Sequence, residues 1–239
     1  MISILIPTRK RPALLKQCID SAVAHQDPSS YIEFLIYYDN DDNDTPNFIN
    51  QEYPTQPTIG NYHVYGMQGD RIPLSDTYNQ LFNKYSPCDI IMYAADDLKF
   101  NDKGWNILVE ETFKKYNDRI VLVFGKDGIH ENFPTHGFIH YNWVNCLNQV
   151  FPNWLWGEYA DSYMDEVAGC IGRRERIELY IEHIHYSRGK RVDDEVDHEK
   201  FRKQAEHGCI NRFHSTRHER EADALKLLQF IRDYKNDHS

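Results

Sequence analysis

Apolar residues in this chain gather into short runs separated by polar stretches, and the spacing changes from run to run. Four runs, residues 2–6, 34–38, 90–93 and 120–124, are four or five residues long, partly β-branched or aromatic, and bounded by polar or turn residues. That pattern predicts buried strands. Between the first two, Leu14, Leu15, Cys18, Ile19, Ala22 and Val23 recur at helical spacing behind Pro12, which suits a first helical turn. A second helix is predicted over residues 76–85, with Ser75 as its cap, and a third over 105–116. Strands alternating with helices imply an α/β fold built on a mostly parallel sheet.

Later segments are less regular. The stretch "RIELYIEHIHY" alternates, which places Ile177, Leu179, Ile181, His183 and His185 on one face of a strand. In "STRHE", Thr216 and Glu219 have capping-box spacing, and Leu225, Leu228 and Ile231 then line one side of a final helix. There is no internal repeat and no low-complexity linker. A chain of 239 residues can bury a proper core, as one domain or one domain with an appendage.

Composition narrows the class. Hydrophobic residues at 41% and charged residues at 27% are ordinary for a globular protein in water. The 16 tyrosines raise the aromatic share enough to suggest aromatic-lined surfaces. No apolar run reaches the length of a membrane span, and "MISILIPTRKRP" lacks both the length and the preceding basic region of a signal peptide. Five cysteines without close pairing fit reduced thiols, so a cytoplasmic protein is expected. The net charge of −10 is uneven: residues 1–172 hold 12 basic against 23 acidic side chains, whereas 173–220 hold 12 against 10. The acidic whole argues against broad nucleic-acid binding but leaves room for one local basic groove.

In parallel α/β sheets ligands bind beyond the carboxyl ends of the strands. The first predicted strand ends in "PTRKRP", with Thr8, Arg9 and Arg11; the second ends in "DNDDND", with Asp39, Asp41, Asp42 and Asp44; a third ends in "YAADDL", with Asp96 and Asp97. Adjacent carboxylates after a strand are either a solvated turn or a pair whose repulsion a hard divalent cation offsets. No GxGxxG follows the first strand and no GxxxxGK[ST] occurs, which argues against a dinucleotide fold and a P-loop.

These segments carry a resemblance. "SILIPTRKRPALLKQCIDS", "FLIYYDNDDND" and "IIMYAADDLKFNDKGW" resemble, in order and spacing, the opening strands and metal-binding segment of family 2 glycosyltransferases with the GT-A fold. The chain looks especially similar to small single-domain transferases of tailed phages, in which an acidic helix and a His-x-His segment complete the site; here these would be "GEYADSYMDEVA" and "EHIHYSRGKRVDD". The first aspartate of a full D-x-D-D pattern would fall on Ala94, so either Asp96 or Asp97 could be the direct metal ligand.

The resemblance implies a transferase domain over residues 1–200, with a nucleotide-sugar half at 1–100, an acceptor half at 101–200, and a helical tail at 201–239. It implies a nucleoside diphosphate sugar bound by Pro7, Thr8, Arg11, Asp39, Arg71, Asn79 and Asp96. Mn²⁺ or Mg²⁺ would be held by Asp96, Asp97 and His185, and Asp161 would be the base of an inverting transfer. Trp154, Trp156 and Glu158 would face the acceptor. Each assignment has a plainer rival: surface ion pairs for the arginines, a wet helix face for the acidic residues, core packing for the tryptophans and histidines. Cys209, His214 and His218 have zinc-like spacing but lack a second cysteine pair. Two other functions compete, a sugar-phosphate nucleotidyltransferase and a non-catalytic binding module with a degenerate site. The acceptor is open among glycans, proteins, small molecules and DNA carrying a hydroxymethylated base. For DNA, the basic side chains Arg173, Arg174, Arg176, Arg188, Lys190 and Arg191 would contact phosphates.

Overall fold

The computed structural model describes residues 1–54, 61–157 and 159–238. The chain begins as predicted, with β1 (Ile2–Thr8), α1 (Pro12–His25) and β2 (Ile32–Asp39). Then come α2 (Asp44–Glu52), β3 (Tyr62–Gly69), α3 (Leu74–Tyr85), β4 (Ile90–Tyr93), β5 (Leu98–Phe100) and α4 (Trp105–Lys114). The second half holds β6 (Leu122–Lys126), β7 (Gly137–His140), α5 (Tyr141–Leu147), α6 (Ala160–Cys170) and β8 (Arg174–His183). A 3-10 turn at Tyr186–Arg188 leads to α7 (Glu195–Glu206), α8 (Cys209–Ser215) and α9 (Arg217–Asp237). No helix among the described residues is long and apolar enough to cross a membrane.

The strands form one curled sheet in the order β3-β2-β1-β4-β7-β6-β8-β5. The first four are mutually parallel, β7 runs antiparallel to both its neighbours, and β8 is parallel to β6. Chain order reverses at β1, which pairs with β2 on one side and β4 on the other. Connections leave the carboxyl ends of β1, β2 and β4 in opposite directions and open a crevice there.

Alternation along the strands makes two cores. Ile2, Ile4, Ile6, Phe34 and Ile36 face a layer with Leu15, Cys18, Ile19 and Ala22 of α1 and Trp105, Val109 and Phe113 of α4. Leu5, Leu35, Tyr37 and Tyr93 face the other side, packed with α3, α5, α6 and α9. The central parallel strands β1, β2 and β4 are thus covered on both faces, which is why their sequences read as nearly continuous apolar runs.

Several local expectations needed tertiary correction. Helix α3 starts at Leu74, and Ser75 donates its hydroxyl to the Leu155 carbonyl at 2.6 Å instead of capping the helix. At α9 the Thr216 hydroxyl bonds the Arg212 carbonyl at 2.7 Å, so no capping box forms with Glu219. The buried face of α9 is Arg220, Asp223, Ala224, Leu227 and Ile231; Leu225 is exposed. Helix α9 packs on α5 and α6, and Asp223 is buried because it accepts a 2.8 Å hydrogen bond from the Tyr163 hydroxyl. The alternating strand stops at His183, and His185 instead caps the 3-10 turn. Asp42, at the end of the second strand segment, is fully buried, accepting from the backbone N–H groups of Lys10, Asp44 and Thr45.

Candidate active site

The three acidic or basic strand ends converge on one cleft of about 240 Å³. Its floor is Pro7 and Thr8 from β1, Asp39 from β2 and Ala94–Asp97 after β4; Arg11 and Arg71 line its sides, and α7 closes it from above. At the edge of β3, Gly69 is dictated by space, since a Cβ there would lie 2.1 Å from the Tyr37 hydroxyl oxygen. Tyr37 lines the same cleft and donates its hydroxyl to the Asp70 carbonyl at 2.6 Å, just before Arg71.

Asp39 is buried at the strand end and accepts 2.8 Å and 2.9 Å bonds from Arg9 and Arg71. Burial raises its carboxyl pKa, and the two guanidinium groups oppose that rise. Asp96 accepts from the Thr8 hydroxyl at 2.7 Å and has Arg11 at 3.8 Å. Burial first, and then the neighbouring Asp97 charge, raise the Asp96 pKa. For Asp97 burial again works upward, but the His183 ring, Arg191 and Arg11 outweigh it and the pKa falls. Asp97 Oδ1 lies 3.1 Å from His183 Nε2, yet this contact lacks hydrogen-bond geometry and the buried oxygen has no donor. Ala94 belongs to the apolar core beneath, so the missing first aspartate is replaced by packing.

His185 lines the cleft with its ring 5.0 Å from that of His183, and Ser187 occupies its Nδ1. The histidine that touches Asp97 is thus His183. Burial lowers the pKa of His185 and favours the neutral ring. Asp161 sits in the first turn of α6, accepts from the Ser162 N–H at 2.7 Å, and has its pKa raised by burial; Lys200 is near enough to oppose the rise. It is not one of the residues lining the cleft, although its charge reaches Tyr78, which does line it.

Of the other expected site residues, Trp156 faces the cleft, with its ring stacked on His207 at 4.0 Å and the Lys203 ammonium 5.6 Å away. Trp154 packs against Tyr163 and Phe213. Asn79 uses its whole carboxamide on the backbone of Val150 and Phe151, at 2.8 to 3.3 Å, and does not reach the cleft. Glu158 lies outside the described residues.

Sequence reading placed Arg9 at a strand end and Arg191 in a basic stretch without assigning either to the donor site, and it passed over the α7 side chains Asp197, Lys200 and Lys203. Arg191 forks onto Asp197 at 2.6 and 2.9 Å and lies 3.6 Å from Asp97. Asp194 and Asp197 form a reciprocal capping box that starts α7. The Asp-x-x-Asp spacing in "VDDEVD" was the available signal for that helix. The other basic residues of this region are largely paired: Arg173 with Asp118, Arg174 with Asp165, Arg176 with Glu178 and Lys190 with Glu182.

The chain matches no protein-family model, and no curated protein matches it in sequence. Solved structures do resemble it. The mannosyltransferase PcManGT from Pyrobaculum calidifontis, in complex with GDP-Man and Mn²⁺, aligns over 76% of this chain and 56% of its own, with 12% identity and a TM-score of 0.60. S. aureus TarS aligns over 75% of this chain and 36% of its own, with 11% identity and a TM-score of 0.57. TarS 1–349 in complex with UDP-GlcNAc aligns over 76% and 58%, with 12% identity and a TM-score of 0.56. The chain spans about a third to three fifths of these proteins. Taken with the order of the strands and the crevice at β1, the likeness identifies the fold as the GT-A fold of nucleotide-sugar glycosyltransferases.

Proposed function

We propose that the protein is a metal-dependent, inverting glycosyltransferase that moves a sugar from a nucleoside diphosphate donor to a hydroxyl acceptor. The observation that carries this reading is the convergence of Thr8 and Arg11, Asp39, Arg71, and Asp96 and Asp97, from the ends of four parallel strands, on one cleft. Asp39 accepts from a base N–H or a ribose hydroxyl, Arg71 and Thr8 donate to the nucleotide, and Arg11 faces the diphosphate. The donors bound in structures of the same fold, GDP-Man with Mn²⁺ and UDP-GlcNAc, support a nucleotide sugar here.

Asp96 and Asp97 fit a divalent cation, either Mn²⁺ or Mg²⁺. They are hard oxygen ligands side by side, and Asp97 Oδ1 is buried without a hydrogen-bond donor. Among the described residues no three His, Cys, Asp or Glu side chains form a ready-made cation site. Mg²⁺ in such sites takes one or two protein carboxylates and fills its shell with phosphate oxygens and water. When bound, the cation supplies Lewis-acid stabilisation of the leaving diphosphate. His185, whose Nδ1 is taken, offers Nε2 to the metal or a phosphate.

Asp161 acts as general base. The acceptor hydroxyl gives its proton to the Asp161 carboxylate while its oxygen bonds the anomeric carbon. The bond from that carbon to the diphosphate breaks on the opposite face, which inverts the configuration. Burial raises the Asp161 pKa and makes it a stronger base. Trp156, and Glu158 beside it in sequence, are the acceptor-side residues of this reading. The ion pairs of Arg173, Arg174, Arg176 and Lys190 leave few free cations for a DNA backbone, which favours a glycan or small-molecule acceptor. Residues 1–200 form the transferase unit in this proposal, with 201–239 as a helical extension, working in the cytoplasm of the cell or of a phage's host.

Thermal unfolding tests the reading. A nucleoside diphosphate should raise the melting temperature far more with Mn²⁺ or Mg²⁺ than with EDTA, and Asp96→Asn combined with Asp97→Asn should abolish the difference. A full metal-dependent shift in the double variant would place the metal elsewhere.

A further inference from the structure

The densest ion-pair cluster in the cleft is made by the first turns of α7. Asp197, 5% exposed, sits between two arginines. Arg11 Nη2 lies 2.8 Å from its Oδ1, and Arg191 reaches Oδ2 at 2.6 Å and Oδ1 at 2.9 Å. Asp194 takes Arg11 Nε at 2.8 Å and Nη2 at 2.5 Å. Glu199 takes Arg9 at 3.4 Å and Arg71 at 3.2 Å. All four cleft arginines therefore contact a carboxylate from α7 or its cap.

Two guanidinium forks closing on one small anion is the geometry that holds phosphate. Asp96 and Asp97 flank the same arginines at 3.8 and 3.6 Å. With α7 as it stands, the arginines that a diphosphate would need are already engaged by Asp194, Asp197 and Glu199. Withdrawing those three carboxylates would leave Arg11 and Arg191 with only Asp96 and Asp97 as carboxylate neighbours among the described residues, beside Lys200 and Lys203 of the same cleft.

We propose that Asp197, with Asp194, is a built-in competitor for the donor's diphosphate, so that Arg11 and Arg191 bind either the α7 carboxylates or the diphosphate. This rests on the nucleotide-sugar reading above and adds to it the residues that regulate entry. Binding requires the start of α7 to leave the arginines, and apparent affinity falls by the fraction of molecules in which it has done so. A ligand with two adjacent phosphates can replace both carboxylates, whereas a single small anion replaces one. The same face of α7 then carries Lys200, about 4.5 Å further along the axis, with no ion-pair partner among the described residues.

Inorganic pyrophosphate in EDTA is the probe, with calorimetry for affinity and amide hydrogen exchange across residues 194–206 for the helix. Pyrophosphate should raise exchange in α7 of the unaltered chain. Asp197→Asn should bind it at least ~10-fold more tightly, because the competitor's charge is gone. Asparagine keeps an oxygen for the Asp194 N–H, so the cap survives. Asp194→Asn, which also preserves the cap, should tighten binding less, and Arg191→Gln should weaken it by at least ~10-fold. Unchanged or weaker binding in both asparagine variants would overturn the proposal, as would α7 exchange that does not move at saturation, or pyrophosphate that binds none of the proteins. If pyrophosphate behaves as expected while nucleoside diphosphates fail to bind, the competition stands and the donor assignment falls.

Discussion

The Thr8 hydroxyl donates a 2.7 Å hydrogen bond to Asp96 Oδ2, joining positions 88 residues apart at the ends of two adjacent parallel strands. Both residues are buried, so the bond sets how the first acidic side chain of the pair is oriented before any ligand arrives. It also lowers the Asp96 pKa against the rise that burial and Asp97 impose.

Removing that donor should be costly. Thr8→Val keeps the shape and leaves a buried carboxyl oxygen short of a partner, a loss of about 1–3 kcal/mol. Thr8→Ser should retain most of the stability. Urea unfolding of the three proteins measures this, and equal stability of the valine and serine variants would mean that Asp96 finds another donor.

Asp161→Asn should leave donor binding nearly intact and lower turnover by at least ~10²-fold, the usual scale for a lost general base. Separate measurement of donor affinity and kcat decides the matter. Parallel losses in both would make Asp161 a structural or donor-binding residue, and normal turnover would pass the role to Glu158 or Asp165.

Asn79→Ala should behave as a structural change. Its carboxamide satisfies the Val150 N–H and the Phe151 carbonyl, so truncation should cost about 1–3 kcal/mol. Nucleotide affinity, measured where both proteins are folded, should stay the same. A selective loss of affinity would restore Asn79 to the donor site.

Stability should fall in acid partly through His136. Burial, with His183 nearby, pushes its pKa from an ordinary 6.5 down to about 3, and its Nε2 is buried without a partner. Below pH 6.5 the unfolded chain takes up a proton that the folded protein refuses. The stabilisation is therefore complete above that pH and is lost as pH falls, by up to about 1.4 kcal/mol per unit. Between pH 7 and 5 the unaltered protein should lose about 2 kcal/mol more than His136→Gln in urea titrations. Equal losses would mean that His136 is protonated in the fold.

The chain's own pattern was sufficient for much of this protein. The short, partly β-branched or aromatic apolar runs at 2–6, 34–38 and 90–93 read as strands, because a strand buried on both faces stays apolar at nearly consecutive positions. The helix face from Leu15 to Ala22 follows from its spacing. Strand ends of a parallel sheet point the same way, so the meeting of Asp39 with Asp96 and Asp97 was legible too.

Only tertiary structure could decide which polar side chains face one another across long sequence separations. Asn79 and Trp154 have the right chemistry for a site, but the loop at Val150 and the aromatic cluster at Phe213 claim them. His183 rather than His185 meets Asp97 because β8 ends at His183, which pairs antiparallel with Leu98, the residue after Asp97, and the turn follows. Arg11 and Arg191 are 180 positions apart, and no local pattern says that both close on Asp197. A charge in sequence has no fixed partner. Burial in a shared cleft, where an unpaired ion is expensive, selects one.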